Sequence, residues 1–421
     1  MTSVRTLGLD FGTTNTVAAI ADDAEPRLVA LGDGHVFRTA LCFWHDEGVR
    51  GGLAVEAGHA AIREYLEYPS DSRFIQSFKS VAASASFDTA PVFEKRYRFE
   101  ELGRLFLEAH AGGALDRLDR VVVGRPVTYA GSRPDEAVAR ARYDAMFAGF
   151  AAEVAYVYEP LAAAYGYAST LAEPATLLVA DFGGGTSDFS VVRVEAPGAA
   201  RRCIPLGQAG IGIAGDRFDA RIVDKLVLPF LGKGGQYRSF DKLLDIPGGH
   251  FADVADWSKL ALMRNRRTLA ELDRLRRSAI DPDAIGRLIA LIDNELGFPL
   301  YDAVGRLKRA LSEVEETSFS FEGAGLAIEA PVTRTEFERW IADDVARIGA
   351  TVDRALVAAG VADTRIHRVF LTGGTSLVPA VRRVFIARFG ANWITAGGEL
   401  TSIAHGLSLI AQEDDASAWT E

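Results

Sequence analysis

The chain has 421 residues, too many for one hydrophobic core and enough for two lobes. Its 48 % hydrophobic content with mixed charge marks a folded globular protein. A net charge of −11 argues against a general nucleic-acid binder or a partner of anionic membranes.

Residues 1 to about 50 alternate apolar and polar positions, with turn signals at Gly32-Asp33-Gly34 and Gly51-Gly52, and predict a β-meander. Leu53, Val55, Ala60 and Ile62 predict a helix from 52, which loops through Tyr68-Pro69-Ser70 into Arg73–Lys79. Leu102, Leu105, Phe106 and Ala109 share one face of a helix over 98–115. Val121–Val123 is a buried strand, followed by a helix from Pro134 to Gly149 and a strand at Val154–Tyr158. Residues 159–166, E-P-L-A-A-A-Y-G, form a small-residue helix with Pro160 in its first turn. A strand restarts at Thr176. Gly210–Asp219 is a glycine-rich turn into a helix at 220–227, and 232–249 is loop-like. Residues 256–313 are nearly all helical, with breaks at Asp281-Pro282 and Gly297–Pro299. Strands at 317–332, a helix at 335–360, a strand at Arg368–Leu371, a turn at 372–376, a helix from Val378 and a last helix over 400–411 complete the order. The tail Glu413–Glu421 reads as a disordered terminus. This is a duplicated α/β fold with inserts.

Three glycine turns follow strand-like runs. Residues 10–16 read D-F-G-T-T-N-T, residues 181–188 read D-F-G-G-G-T-S-D, and residues 372–376 read T-G-G-T-S. Glycine lets backbone approach an anion without a Cβ in the way. Threonine hydroxyls and successive N–H groups grip phosphate oxygens. The aspartate opening each of the first two turns suits a hydrated divalent cation. Any one of these turns alone is ordinary turn chemistry. Their order, with E-P-L-A-A-A between, points to two opposed turns clamping the phosphates and metal of one nucleotide.

Other chemistries lack their signatures. Cys42 and Cys203 share no motif spacing, argue against a disulfide framework and suit a reducing compartment as buried thiols. The seven histidines make no zinc pattern. There is no G-x-S-x-G elbow, and Gly232-Lys233 lacks the rest of a P-loop. The strand close to the N-terminus leaves no room for a signal peptide, and no apolar run nears the ~20 residues of a membrane helix.

The ordered set resembles the DnaK-type 70-kDa heat-shock chaperones of the actin-like ATPase superfamily. The resemblance rests on Asp10–Asn15, Asp181–Asp188, Glu159–Tyr167, Lys308-Arg309-Ala310-Leu311-Ser312, Gly373-Gly374-Thr375 with Pro379, and Ala404–Gly406. It implies an α/β actin-like ATPase fold with two duplicated ribonuclease-H-like lobes around a nucleotide cleft. Lobe I would span 1–171 (core 1–50 and 116–171, insert about 51–115). Lobe II would span 172–399 (core 172–230 and 310–399, helical insert about 231–309), with a C-terminal helix and tail over 400–421. The chain is similar to the truncated YegD-like branch, which keeps the nucleotide-binding domain without a peptide-binding sandwich or lid.

The resemblance also implies roles. Asp10 and Asp181 would hold Mg²⁺ through waters, with K⁺ a further candidate cation. Gly12, Thr13, Thr14 and Asn15 would bind the phosphates of ATP or ADP from one side, and Gly183, Gly184, Gly185 and Thr186 from the other. Lys79 would contact the γ-phosphate and the attacking water, and Glu159 would hold a metal-bound water, so Lys79, Glu159, Asp181 and Asp10 form the catalytic set. Arg63 and Arg73 are neighbouring cations in sequence. Gly215, Asp216, Lys308, Arg309, Ser312, Gly373, Gly374 and Thr375 would bind the nucleoside end.

That end departs from the family. Gly305 stands where a ribose-binding glutamate is usual, Leu377 where an arginine stacks on adenine, Leu400 where an aspartate closes the pocket, and Ala214-Gly215 where two glycines turn. These changes imply modest base selectivity. The arginines at 264, 266, 267, 274, 276 and 277 read first as a solvated or ion-paired helix face and second as a dock for an acidic partner. The implied protein is a cytoplasmic, slowly hydrolysing, chaperone-like ATPase, a nucleotide-gated clamp whose protein client or co-chaperone the sequence does not name, with no nucleic-acid or membrane partner. A small-molecule kinase of the same superfold, an actin-like filament protein and a pseudo-ATPase are the alternatives.

Overall fold

A computed structural model describes residues 5–22, 25–32, 34–69, 71–111, 118–131, 133–196, 202–260, 263–397 and 401–413. Its contacts group into two compact units. One holds 1–67, 72–215 and 345–421, and the other holds 68–71 and 216–344.

The larger unit contains two sheets of one design. In the first, the strands run in the order Ala151–Tyr158, Leu118–Arg125, Thr6–Phe11, Asn15–Asp22, Glu25–Val29. In the second the order is Ile394–Ala396, Arg368–Thr372, Ala175–Phe182, Ser187–Ala196, Arg202–Ile211. Each sheet has two parallel pairings followed by two antiparallel ones. Each has a helix crossing between its parallel strands, Glu136–Phe147 in the first and Pro379–Phe389 in the second. A further helix follows each outer strand, Glu159–Ala168 and Ser402–Ile410. The mixed α/β architecture is that of an actin-like ATPase, and the duplication is present strand for strand.

The two trailing helices pack on each other through their small residues. A Cβ on Gly406 would lie 1.8 Å from the Ala162 carbonyl oxygen, and one on Gly166 would lie 3.4 Å from Gly406. Ala162, Ala163 and Ala164 are fully buried there. The run of small side chains is thus a close helix crossing. The helix Ser402–Ile410 also sits against the first strand, where a Cβ on Gly8 would meet the Ser408 nitrogen at 2.2 Å.

The first half carries an insert. Ala40–His45 pairs with Leu53–Ala57 and Ser72–Gln76, flanked by the helices Gly58–Glu67 and Phe99–Ala111. The helix expected from residue 52 therefore begins at Gly58. Leu53 and Val55 follow a period of two, and the Gly51-Gly52 turn folds that segment back as a hairpin. An aromatic nest of Phe11, Phe78, Phe99, Phe106, Tyr143 and Phe147 fills the space between insert and sheet.

Other corrections have local causes. Arg202–Ile211 is a strand that was not anticipated and runs into the glycine-rich turn expected at Gly210–Asp219, and the helix expected from 220 begins at Gly215. Pro205, Gly207 and Gly210 mask the strand, and they are tolerated because it lies at a sheet edge, beside a register shift. The loop at 232–249 contains the hairpin Gln236–Ser239 with Lys242–Asp245, whose second strand is exposed along its whole length. Pro299 lies in the first turn of the helix Gly297–Glu313, where its missing N–H has no partner to lose. The short strand Ile394–Ala396 was not anticipated. Cys42 and Cys203 are both buried.

The smaller unit is mainly helical. Asn265 and Asp281 cap the helices Arg266–Ser278 and Pro282–Asp293 by accepting from Thr268 N–H and Ala284 N–H at 2.9 Å each. Its core comprises Leu272, Ile285, Leu288, Leu300, Val304, Leu311 and Phe319. Its arginines are largely ion-paired: Arg264 with Glu295 at 2.8 Å, Arg267 with Glu271 at 3.0 Å, and Arg276 and Arg277 with Asp273 at 2.7 and 2.6 Å. That is the solvated, paired face. Leu400 and the tail beyond Glu413 lie outside the described residues.

Candidate active site

Both D-F-G turns close in the same way. Phe11 pairs with Thr16 and Phe182 with Ser187, so each hairpin is bridged by four residues, 12–15 and 183–186. The first bridge is tied from behind. Thr39 donates its hydroxyl to the Gly12 carbonyl at 2.8 Å and its N–H to the Thr14 carbonyl at 2.9 Å. The Arg38 guanidinium donates to Asn15 Oδ1 at 3.4 Å. The second bridge closes on itself, Gly183 N–H donating to the Thr186 carbonyl at 2.9 Å.

Between the tips lies one buried charge cluster. Lys79 stands on the short 3₁₀ turn Phe78–Val81, directly after Ser77 at φ 54°. That left-handed residue turns the chain out of the insert strand and sends the lysine inward. Its Nζ donates to Glu159 Oε1 at 2.7 Å, with both side chains buried. Glu159 opens its helix, and Gly124 makes room for it: a Cβ there would be 3.0 Å from Glu159 Cγ. Arg63 and Arg73 sit on the insert's helix and strand instead.

Asp10 and Asp181 end equivalent strands, Asp10 half-buried and Asp181 buried. Burial, then the Glu159 charge, push Asp10 up to about 7 against the pull of Lys79. Burial, then Glu159, Asp10 and Asp188, hold Asp181 well above the usual carboxylate range. Asp188 faces Asp181 across the hairpin. It is fully buried, and its Oδ1 accepts from Thr128 N–H at 3.0 Å. Burial and Glu159 push it to about 7 despite hydrogen bonds from Thr186 and Thr128. Among the described residues, Asp188 Oδ2 has no hydrogen-bond partner. Burial alone would lower Lys79, but Glu159, Tyr143 and Asp10 outweigh it and hold the ammonium above its ordinary value. Asp10, Lys79, Glu159 and Asp181 are thus near enough for each to act on the others' charge.

Burial first, and then the negative charge of Glu159, push Asp10 and Asp188 to about 7, and four carboxylates around one ammonium leave a deficit of positive charge. Such hard oxygen donors fit Mg²⁺. Among the described residues no three acidic, histidine or cysteine side chains converge as an ion cage.

The third loop follows the strand Arg368–Thr372. Gly373 has φ 82°, and a Cβ there would lie 2.0 Å from the Phe182 carbonyl oxygen, so only glycine fits. Gly374 has no neighbour within 4 Å of such a Cβ, which leaves open backbone beside it. Thr375 is buried, and Leu377 is exposed.

The remaining nucleoside candidates belong to the smaller unit, except Gly215, which ends a segment of the larger. Within the smaller unit Lys308 Nζ lies 2.7 Å from Asp219 Oδ1, and Ser312 donates to the Lys308 carbonyl at 3.0 Å. Gly305 opens space toward Arg309, whose Nη1 would be 3.5 Å from a Cβ there. Asp216 sits in the first turn of Gly215–Ile222.

The roles assigned from sequence passed over Asp188, Arg38, Tyr143 and Tyr129. Asp188 was legible, because it closes the second D-F-G motif. The tyrosines had no such signal, since they read as core residues of a helix and a turn.

The Hsp70 family model, described as Hsp70 protein, matches residues 293–412. That stretch contains Lys308–Ser312, Gly373–Thr375 and Ala404–Gly406, and neither D-F-G turn. Members of this family generally are ATPases that bind ATP or ADP with Mg²⁺. The match covers less than half of the chain and shows a similarity to the Hsp70 family over that stretch.

Proposed function

We propose that this chain binds Mg·ATP and hydrolyses it slowly, as a chaperone-like module of the YegD-like branch. The observation that carries this is the Lys79–Glu159 pair at 2.7 Å, enclosed by Asp10, Asp181 and Asp188 at the tips of two matching hairpins. Phosphoryl transfer needs positioning and charge neutralisation more than covalent chemistry.

In this assignment the bridges 12–15 and 183–186 bind the phosphates, and Gly374 lets backbone approach them. Asp10 and Asp181 hold the hydrated Mg²⁺, which would neutralise charge on the β- and γ-phosphates. Lys79 donates to the terminal phosphate and orients the attacking water. Glu159 keeps the ammonium in place and accepts from water near the phosphate. The buried surroundings strengthen each of these interactions.

We further propose the lobe division at 171/172, opening and closing around nucleotide, and a cytoplasmic setting. Among the described residues, no helix is long and apolar enough to cross a membrane. Gly215, Asp216, Lys308, Arg309 and Ser312 are carried as nucleoside contacts. Gly305 and the exposed Leu377 underlie modest base selectivity. The test is phosphate release from ATP without any second substrate. Release only with a sugar or acid present would instead identify a kinase, and calorimetry showing strict adenine preference at nanomolar affinity would contradict the selectivity.

A further inference from the structure

Lys79 stands on a turn that does not hold itself. Ser77, which starts it, is left-handed at φ 54° without being glycine, a strained conformation that persists only where the surroundings impose it. Inside the turn Ser80 N–H donates to the Ser77 carbonyl at 3.0 Å, and Ala82 N–H donates to the Lys79 carbonyl at 3.1 Å. Residues 82–89 then form neither helix nor strand.

One side chain grips that segment from outside. Arg142 lies on the helix Glu136–Phe147. Its Nη1 donates to the carbonyls of Val81 at 2.9 Å, Ala82 at 2.9 Å and Ser84 at 3.1 Å, and its Nη2 donates to the Phe87 carbonyl at 2.5 Å. The N-cap of the same helix adds a further tie, Asp135 N–H to the Ala83 carbonyl at 2.9 Å. The helix is itself locked, because Ala139, Tyr143, Met146 and Phe147 are buried in the core that also holds Phe78. A planar guanidinium gathers several carbonyls with a fixed fork of donors, whereas an ammonium carries fewer donors and no fork.

The grip reaches the lysine through the backbone. Val81 closes the turn that carries Lys79, and Ala82, whose carbonyl Arg142 holds, donates its own N–H to the Lys79 carbonyl. Glu159, the lysine's partner at 2.7 Å, is placed separately by its helix start and by the space beside Gly124. The two side chains meet only if the turn is fixed against the scaffold that carries Glu159.

We propose that Arg142 is a positioning residue, its guanidinium clamping the backbone behind Lys79 and so fixing the lysine's aim at Glu159 and the terminal phosphate. The inference rests on the ATPase assignment for its effect on turnover, and on the hydrogen bonds at 81–87 for its geometry.

The test is Arg142→Gln in the full chain, with Arg142→Lys as the variant that keeps the charge and loses the fork. Competitive acylation of Lys79 relative to Lys225, read by peptide mass spectrometry, is expected to rise about threefold or more in both as the turn loosens. Single-turnover phosphate release at saturating Mg·ATP should fall about tenfold in Arg142→Gln and less in Arg142→Lys, with Mg·ATP affinity within twofold. Arg388→Gln is the control for general destabilisation, since it removes the pairs with Asp353 and Asp363 far from the turn. It is expected to lower Tm and leave both Lys79 acylation and phosphate release unchanged. If Arg142→Gln does not fold, Arg142→Lys carries the same readings. Unchanged Lys79 acylation overturns the inference whatever the turnover, and so does an equal rise in Arg388→Gln or unchanged turnover in a chain that hydrolyses ATP. Absence of phosphate release from the unsubstituted chain would sink the ATPase assignment alone, and the acylation ratio would then decide for or against the clamp.

Discussion

The two halves of the larger unit share a fold and differ in charge. In the first, the helix after the outer strand opens with Glu159, and the neighbouring strand supplies Gly124 to make space for it. In the second, the equivalent helix opens with Ser402, whose hydroxyl bonds to Thr372 at 2.9 Å. The first half adds Lys79 from its insert, and the second adds only Asp188 opposite Asp181. Duplication supplied matching hairpin turns. The Lys79–Glu159 pair comes from one copy alone, its lysine on the insert and its glutamate where the other copy has Ser402.

The sharpest way to break that asymmetry is Lys79→Ala. Hydrolysis should fall roughly 10²–10³-fold while ATP affinity stays within a few-fold, as for loss of a group that acts mainly in the transition state. Unchanged phosphate release would move catalysis to another cation. Next in size is the charge deficit. A carboxyl raised from 3.8 to about 7 binds its proton more tightly in the folded state. The ligand-free protein therefore loses stability as pH rises from about 4 through 7. Asp10→Asn should remove that loss, raising stability at pH 8 by on the order of 2–4 kcal/mol and leaving it unchanged near pH 4, by denaturant titration. By the same linkage, Mg·ATP should bind more weakly at pH 6 than at pH 8. Equal gains at both pH values would remove Asp10 from the cluster.

A third comparison lies within one loop. Gly373→Ala should cost at least about 2 kcal/mol, from strain at φ 82° and the contact with Phe182. Gly374→Ala should change stability by less than ~0.5 kcal/mol yet weaken ATP binding, because the open space beside it is where phosphate would sit. The smallest effect concerns the base. Leu377→Arg should strengthen ATP binding by ~1 kcal/mol, about fivefold, if adenine lies against that exposed position. No gain in calorimetry would place the base elsewhere.

Much of this site was legible because its parts are turns. The D-F-G strings at 10–12 and 181–183 and the Glu-Pro helix start are local signals, and each element lies where its residues predicted. Lys79 was reachable only through resemblance, since its place depends on the left-handed Ser77 at the end of an insert strand. The strand Arg202–Ile211 was hidden by the proline and glycines an edge tolerates, and the hairpin at 236–245 by the exposure of its second strand on both faces.

The helix Ser402–Ile410 has a consequence for synthesis. It presses on Gly8 and on Ala162, and Gln412 donates to Thr6 across 406 positions of sequence at 2.6 Å. A nascent chain emerging from the ribosome can fold its first hairpin early, yet the back of that hairpin stays bare until this late segment appears. The interval exposes Val17, Ala19 and the alanines at 162–164 to water, an apolar face of the kind that holdases cover on unfinished proteins.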